Sequence, residues 1–135
     1  MNVLSLASDT IRSNHLYKNV DKWFDAGVAL YPSCSQITLT MPVKIFIGEL
    51  DEWVSAAGCR SWAKTDIKQI DSGLLDITIY ENTHHLFNRE TMKTLQRSSS
   101  KDHDLGGRAM LYNRQADLDS EKKLIEFFIN KLKTQ

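Results

Sequence analysis

The chain has 135 residues, of which 41% are hydrophobic, and its 17 basic residues balance 17 acidic ones. This length suits one soluble domain or a piece of one, and the neutral balance predicts neither a nucleic-acid partner nor an anionic membrane surface. The first residues lack a signal-peptide pattern and no stretch approaches the ~20 apolar residues of a membrane span, so we expect a cytoplasmic protein.

The two cysteines, Cys34 and Cys59, form neither a C-x-x-C pair nor a disulfide framework. This usage fits a reducing compartment. Cys59 falls on the apolar stripe of a predicted helix, where we interpret it as a small buried hydrophobic residue.

Strand and helix patterns alternate along the chain. The segment Met1 to Ile11 has a partial helical stripe, and three short apolar runs bounded by proline, glycine or asparagine predict strands: Phe24 to Tyr31, Val43 to Ile47 and Leu75 to Tyr80. The first two runs are nearly continuous, as in strands covered on both faces, whereas the third alternates and is expected near the rim of the sheet.

Two later helices are predicted from apolar residues at helical spacing. One, capped by Ser55, joins the second and third strands in a right-handed crossover and carries Cys59, Ala63, Ile67 and Ile70. The other is introduced by Asp119 and Ser120 and carries Leu124, Ile125, Phe128, Ile129 and Leu132. The polar tract between His85 and the last helix, which holds Ser98-Ser99-Ser100 and Gly106-Gly107, predicts a mobile loop with a short helix. The predicted fold class is therefore α/β with three layers, in which helices flank three sequential parallel strands.

An acid and a histidine follow the ends of two predicted strands. Asp51 comes after the second strand and His85 after the third. In an open parallel sheet, active-site groups gather at the carboxyl ends of the strands, so these two side chains are expected to meet there. The carboxylate would hold the ring in one tautomer and the ring would deprotonate a nucleophile. Asp51 and His85 are therefore candidates for the last two members of a catalytic triad.

The chain resembles the second half of a dienelactone-hydrolase-like α/β-hydrolase in four stretches: Tyr31-Pro32-Ser33-Cys34, Pro42 to Trp53, Cys59, and Tyr80 to Phe87. The likeness runs from about Phe24 to Phe87 and resumes at Tyr112 to Leu132. It implies that Asp51 is the catalytic acid and His85 the catalytic histidine.

The sequence departs from that family in two respects. Glu81 and Leu86 stand where the family often has proline and glycine. The G-x-S-x-G elbow that carries the nucleophile, or its cysteine-centred form, is absent, because no two glycines bracket a serine or cysteine at that spacing. Since the nucleophile precedes the acid in this fold, we expect the chain to begin just after the elbow. Residues 1–135 are then one partial domain, the second half of the fold.

Cys34 has two possible roles in the predicted site. The order Cys34, Asp51, His85 allows a thiolate nucleophile, but Cys34 lacks the strained strand-to-helix turn that exposes one. In the resembled family this position lines the site. Cys34 is therefore predicted as a substrate-pocket residue together with Tyr31 and Trp53, although large aromatic residues near strand ends more often serve packing.

His84 leaves the assignment of the catalytic histidine ambiguous by one position. We choose His85 because Leu86-Phe87 follows it as in the family pattern. Two histidines and a carboxylate also raise the question of zinc, but adjacent side chains on an extended loop point apart, and zinc needs three or four convergent ligands. We therefore predict no metal site, and the implied chemistry uses no cofactor.

The resemblance implies the C-terminal part of a carboxylic ester hydrolase that acts on a small ester or lactone and is inactive without its nucleophile. The alternatives are a catalytically dead α/β binding or interaction module, and an unrelated α/β domain whose Asp51 and His85 are coincidental. Without the nucleophile strand, the sheet edge near the first strand is open. We therefore expect self-association or a partner chain that covers this edge.

Overall fold

A computed structural model describes residues 3–8, 24–98 and 107–133 of the chain. These ranges fold as an α/β structure in which helices flank a three-stranded parallel sheet, as predicted. The elements in chain order are α1 (Val3–Ala7), β1 (Gly27–Leu30), β2 (Val43–Gly48), α2 (Ala56–Thr65), α3 (Ile67–Asp71), β3 (Leu75–Tyr80), β4 (Gln96–Arg97), β5 (Ala109–Met110) and α4 (Arg114–Leu132).

The sheet has the order β1-β2-β3, so the predicted sequential arrangement of parallel strands is confirmed. The first residues of the three strands are in register, because Val43 pairs with Gly27 of β1 and with Leu75 of β3. β3 has the predicted bounds, whereas β1 is shorter than the apolar run. It stops before Tyr31, whose φ of 40° lies in the left-handed region that a strand cannot contain.

β2 is the centre of the fold, and every one of its residues is buried. Alternate side chains of β2 enter two separate hydrophobic clusters, because successive residues of a strand point to opposite faces. Val43, Ile45 and Ile47 pack with Trp62 of α2 on one face, and Phe46 packs with Ala116 of α4 on the other. This two-sided burial explains the continuous apolar run and produces the three predicted layers.

The connection from β2 to β3 contains two helices where the sequence predicted one. Ser55 caps α2 as expected, since its side chain accepts a hydrogen bond from the amide of Ala57. Asp66 then interrupts the helix with φ −110° and ψ 58°, and its carboxylate caps α3 by accepting from the amide of Gln69. A side chain that can bond to nearby backbone groups offers the chain an alternative to a continuous helix.

α4 begins earlier than predicted. Asn113 is its cap, because the Asn113 side chain accepts hydrogen bonds from the amides of Gln115 and Ala116. The expected starting residues lie inside the helix, where Ser120 is buried and Asp119 accepts a 2.8 Å hydrogen bond from the hydroxyl of Tyr80. Within the described ranges, neither α4 nor any shorter helix has the length and apolar character of a membrane span.

The polar tract before α4 contains a small antiparallel pair of strands, β4 and β5. The short helix predicted there is absent from the described part of the tract, which covers residues 86–98 and 107–113. At the start of the chain, α1 occupies part of the helix predicted over Met1 to Ile11, and residues 9–11 lie outside the described ranges.

Cys34 and Cys59 form a disulfide, which contradicts the interpretation of both as unpaired thiols. The bond joins the segment after β1 to α2, with 4.9 Å between the two Cα atoms. Cys59 is fully buried as expected, but Cys34 has no thiolate and therefore cannot be the nucleophile. The cysteine argument for a reducing compartment also fails, because disulfides persist mainly in oxidising ones.

The disulfide closes a loop of 25 residues, so its loss is expected to destabilise the fold by about 3 kcal/mol through the entropy of the unfolded chain. Urea unfolding of the wild type with and without dithiothreitol measures this difference. The double substitution Cys34→Ala with Cys59→Ala should unfold like the reduced wild type and should not respond to dithiothreitol. An unfolding free energy that dithiothreitol leaves unchanged in the wild type would contradict the prediction.

Candidate active site

The segments that follow β2 and β3 stay hydrogen-bonded after the two strands end. The amide of Glu49 donates to the carbonyl oxygen of Tyr80 at 2.8 Å, and the amide of Leu50 donates to that of Thr83 at 2.9 Å. These two bonds continue the pairing of β2 and β3 beyond the carboxyl ends of the strands. They bring the chain that carries Asp51 beside the chain that carries His85.

Gly48 makes this close approach possible. A Cβ atom placed on Gly48 would lie 2.2 Å from the carbonyl oxygen of Thr83, a distance at which the backbone must move. Glycine, which has no Cβ, allows the two segments to pass each other closely. The glycine at position 48, three residues before Asp51, is therefore explained by this close approach.

The side chain of Asp51 is fully buried and accepts three hydrogen bonds. Its Oδ1 atom accepts from the amides of Trp53 and Val54 at 2.8 and 2.9 Å, and its Oδ2 atom lies 2.7 Å from Nδ1 of His85. A buried carboxylate requires such partners to compensate for lost hydration. The two backbone donors also fix the carboxylate in the plane that faces the histidine ring.

The contact with Asp51 determines the tautomer of His85. An ionised carboxylate only accepts hydrogen bonds, so Nδ1 of His85 carries the proton and Nε2 remains an acceptor. No residue in the described ranges hydrogen-bonds to Nε2, and the side chain of His85 is 15% exposed. This arrangement leaves Nε2 available to receive a proton from another group.

Two aromatic rings pack against the imidazole of His85. The ring of Tyr31 lies 4.5 Å from it between centroids, and the indole of Trp53 stacks on it at 5.5 Å. The Tyr31 hydroxyl donates to Oδ1 of Asn88 at 2.8 Å, and burial raises the pKa of Tyr31 above its usual range. Tyr31 is therefore an uncharged hydrogen-bond donor at neutral pH.

Cys34 does not join this group. Its sulfur is bonded to Cys59, and no hydrogen bond or ring contact in the described ranges links it to Asp51 or His85. The structure thus places Asp51, His85, Tyr31 and Trp53 together, and a role of Cys34 in lining the pocket stays a prediction.

His84 differs from His85 in its contacts. Nδ1 of His84 is buried and has no hydrogen-bond partner in the part of the chain that is described. The carboxylate of Asp51 contacts the ring of His85 at 2.7 Å, and the catalytic role of His85 stays a prediction. Across residues 3–8, 24–98 and 107–133, no three side chains of histidine, cysteine, aspartate or glutamate converge as metal ligands.

Several residues that support the site were missed by sequence reasoning. Glu52 accepts hydrogen bonds from the amide of Ala109 at 2.8 Å and from Arg97 at 3.3 Å, and so ties β4 and β5 to the end of β2. The guanidinium of Arg108 lies 5.4 Å above the ring of Trp53. These contacts join residues that are distant in sequence, and no local pattern marks them.

No protein-family model and no curated protein matches this chain. A comparison with solved structures found a likeness to a crystal structure named "Putative Dienelactone Hydrolase" from Klebsiella pneumoniae, with a TM-score of 0.52 and 16% sequence identity. The match covers 77% of this chain and 41% of that protein, so this chain spans less than half of its length. At this level of identity the similarity shows that the two folds are related.

Replacing Asp51 by asparagine should reverse the tautomer of His85. The amides of Trp53 and Val54 need an oxygen acceptor, so the new side-chain NH₂ group would occupy the position of Oδ2 and donate to Nδ1 of His85. The ring would then carry its proton on Nε2. The ¹⁵N chemical shifts of the His85 ring in the wild type and in Asp51→Asn report the protonated nitrogen directly, and identical shifts in the two proteins would contradict this assignment.

Proposed function

We propose that residues 1–135 are the acid and histidine half of a dienelactone-hydrolase-like carboxylic ester hydrolase. The observation that supports this most strongly is the 2.7 Å contact between Nδ1 of His85 and Oδ2 of Asp51 at the carboxyl end of the sheet. The fold similarity to a protein of that name supports the same proposal.

In this proposal, Nε2 of His85 takes the proton from a serine or cysteine nucleophile as that group attacks the ester carbonyl. The imidazolium then gives the proton to the leaving alcohol, and the acyl group stays on the nucleophile. His85 next deprotonates a water molecule, whose oxygen attacks the acyl carbon; the bond between the acyl group and the nucleophile breaks, the carboxylic acid leaves, and the imidazolium returns the proton to the nucleophile. Asp51 stabilises the imidazolium and holds the ring in place at each step. None of these steps requires a cofactor.

The nucleophile in this proposal lies outside the 135 residues, on the same polypeptide or on a partner chain. The substrate class in this proposal is a small ester or lactone, and Tyr31 and Trp53, whose rings pack against His85, would line its pocket. The partner chain or a second copy would cover the free edge of β1, which pairs only with β2 in the described ranges. A cytoplasmic location stays a prediction, and the disulfide counts against it.

The competing function is a binding or interaction module that keeps the cleft without catalysis. The sequence observation that favours it is the missing G-x-S-x-G elbow. The DNA upstream of Met1 separates the two functions at the level of sequence. An in-frame or neighbouring stretch that encodes G-x-S-x-G or G-x-C-x-G favours the hydrolase, and its absence favours the module.

The isolated chain is expected to hydrolyse p-nitrophenyl acetate no faster than its His85→Ala variant. Without the amides of an elbow, the oxyanion loses about 2.7 to 4 kcal/mol of stabilisation per missing donor, so a histidine that activates water contributes little. Release of p-nitrophenol by the two proteins at equal concentration measures the difference. Robust turnover by the isolated chain that His85→Ala leaves unchanged would show that the chemistry lies elsewhere.

The complementary experiment co-expresses this chain with the polypeptide that carries the G-x-S-x-G or G-x-C-x-G elbow. The complex should turn over the ester, and Asp51→Asn should lower kcat by about 10⁴-fold because the ring then presents the wrong tautomer. A fluorophosphonate probe should label the nucleophile only when His85 is present. If the complex is active and neither Asp51→Asn nor His85→Ala changes its rate, the proposed function is wrong.

A further inference from the structure

α4 is apolar on two opposite faces. Its inner face carries Ala116, Ser120 and Phe127, which are buried, and Ala116 packs with Phe46 of the sheet. Four large apolar side chains are instead about half exposed: Leu118 at 53%, Ile125 at 49%, Ile129 at 44% and Leu132 at 51%. At 100° per residue these four fall within one sector, roughly opposite the inner face. We call them the outer stripe.

The spacing of the outer stripe is that of a helix seam. Leu118, Ile125 and Leu132 are seven residues apart, and Ile129 follows Ile125 by four. These are the a and d positions of a heptad, which bury their side chains when a second helix packs along them. This spacing indicates that the partner of the outer stripe is a helix.

The charges of α4 favour its own copy as that helix. Within one copy Asp119 pairs with Lys123, and Lys131 donates to the carbonyl oxygen of Gly73. The remaining charges of the first part of α4 are Arg114, Asp117 and Glu121, with a net charge of one negative unit, and those of the last part are Lys122, Glu126 and Lys133, with a net charge of one positive unit. An antiparallel pair places the acidic part of one copy along the basic part of the other and opposes the two helix dipoles. A parallel pair would place like charges side by side.

We propose that two copies of this chain associate through the outer stripes of their α4 helices, antiparallel and around a two-fold axis near Ile125. Ile125 is the midpoint of the stripe, so Leu118 of one copy meets Leu132 of the other, and the two Ile125 side chains meet at the axis. In this register Leu118, Ile125 and Leu132 of each copy pack in the seam, and Ile129 lies opposite Glu121 of the other copy. The interface lies on the solvent side of α4.

Sedimentation of matched isoleucine variants tests this interface. Ile125→Glu should raise the dissociation constant of the dimer by about tenfold or more, because it places two carboxylates together in an apolar seam. Ile67→Glu is the control, since Ile67 on α3 is 52% exposed and lies outside the stripe, and this variant should dimerise as the wild type does. Circular dichroism confirms that both variants are folded.

Cysteine cross-linking tests the direction of the helices. Because Cys34 and Cys59 are bonded to each other, a variant with one added cysteine has one free thiol, that of the added residue. Under mild oxidation, Ile125→Cys should form covalent dimers by itself, whereas Leu118→Cys and Leu132→Cys should cross-link only when mixed. A monomeric wild type at all concentrations, a dimer that Ile125→Glu leaves intact, or cross-linking of Leu118→Cys with itself would each overturn the proposal. A dimer that is lost only on changes in β1 would assign the interface to the sheet edge instead.

Discussion

The contact between the segments that follow β2 and β3 is the constraint on which the candidate site depends. Gly48 lies so close to the carbonyl oxygen of Thr83 that a side chain at this position would separate the two segments. The hydrogen bond from Leu50 to Thr83 holds them together, and Asn113 adds a second attachment by donating to the Thr83 hydroxyl at 2.8 Å. The cap of α4 is thereby connected to the turn that carries His85. Displacement of any of these groups would change the distance between Asp51 and the imidazole.

Two residues beside the imidazole have backbone conformations that favour glycine. Tyr31 has a φ of 40° and Leu86 a φ of 57°, and both are non-glycine residues in the left-handed region. Such a conformation costs about 1 to 2 kcal/mol and persists only where surrounding contacts compensate for it. At Tyr31 it ends β1 and turns the ring onto His85. At Leu86 it turns the chain directly after His85, in the segment that follows β3.

Patterns that depend on one element were predictable from the sequence, whereas pairings between elements were not. The continuous run of β2 and the alternation of β3 follow from the faces that each strand buries, and the rule for parallel sheets then places Asp51 and His85 at one edge. The Cys34 to Cys59 pair spans 25 residues and depends on how α2 packs beside the segment after β1. The spacing of two cysteines in the sequence carries no information about that packing.

Asn113 was missed as the cap of α4 because Asp119 and Ser120 precede the apolar residues more closely, although both belong to the helix. Asp66 was missed because the apolar spacing continues across it.

The geometry of Asp51 and His85 is independent of a nucleophile. Among the described residues, every partner of the Asp51 carboxylate comes from the segments after β2 and β3, two of them from amides within three residues of Asp51. The pair is therefore set by the sheet and its two loops, and an added elbow would supply only the attacking atom and the oxyanion donors. A buried carboxylate also needs donors for stability alone, so the fold retains the pair whether or not catalysis occurs. What distinguishes a catalytic pair from a structural one is the use of Nε2, the one ring nitrogen of His85 to which the described residues make no hydrogen bond.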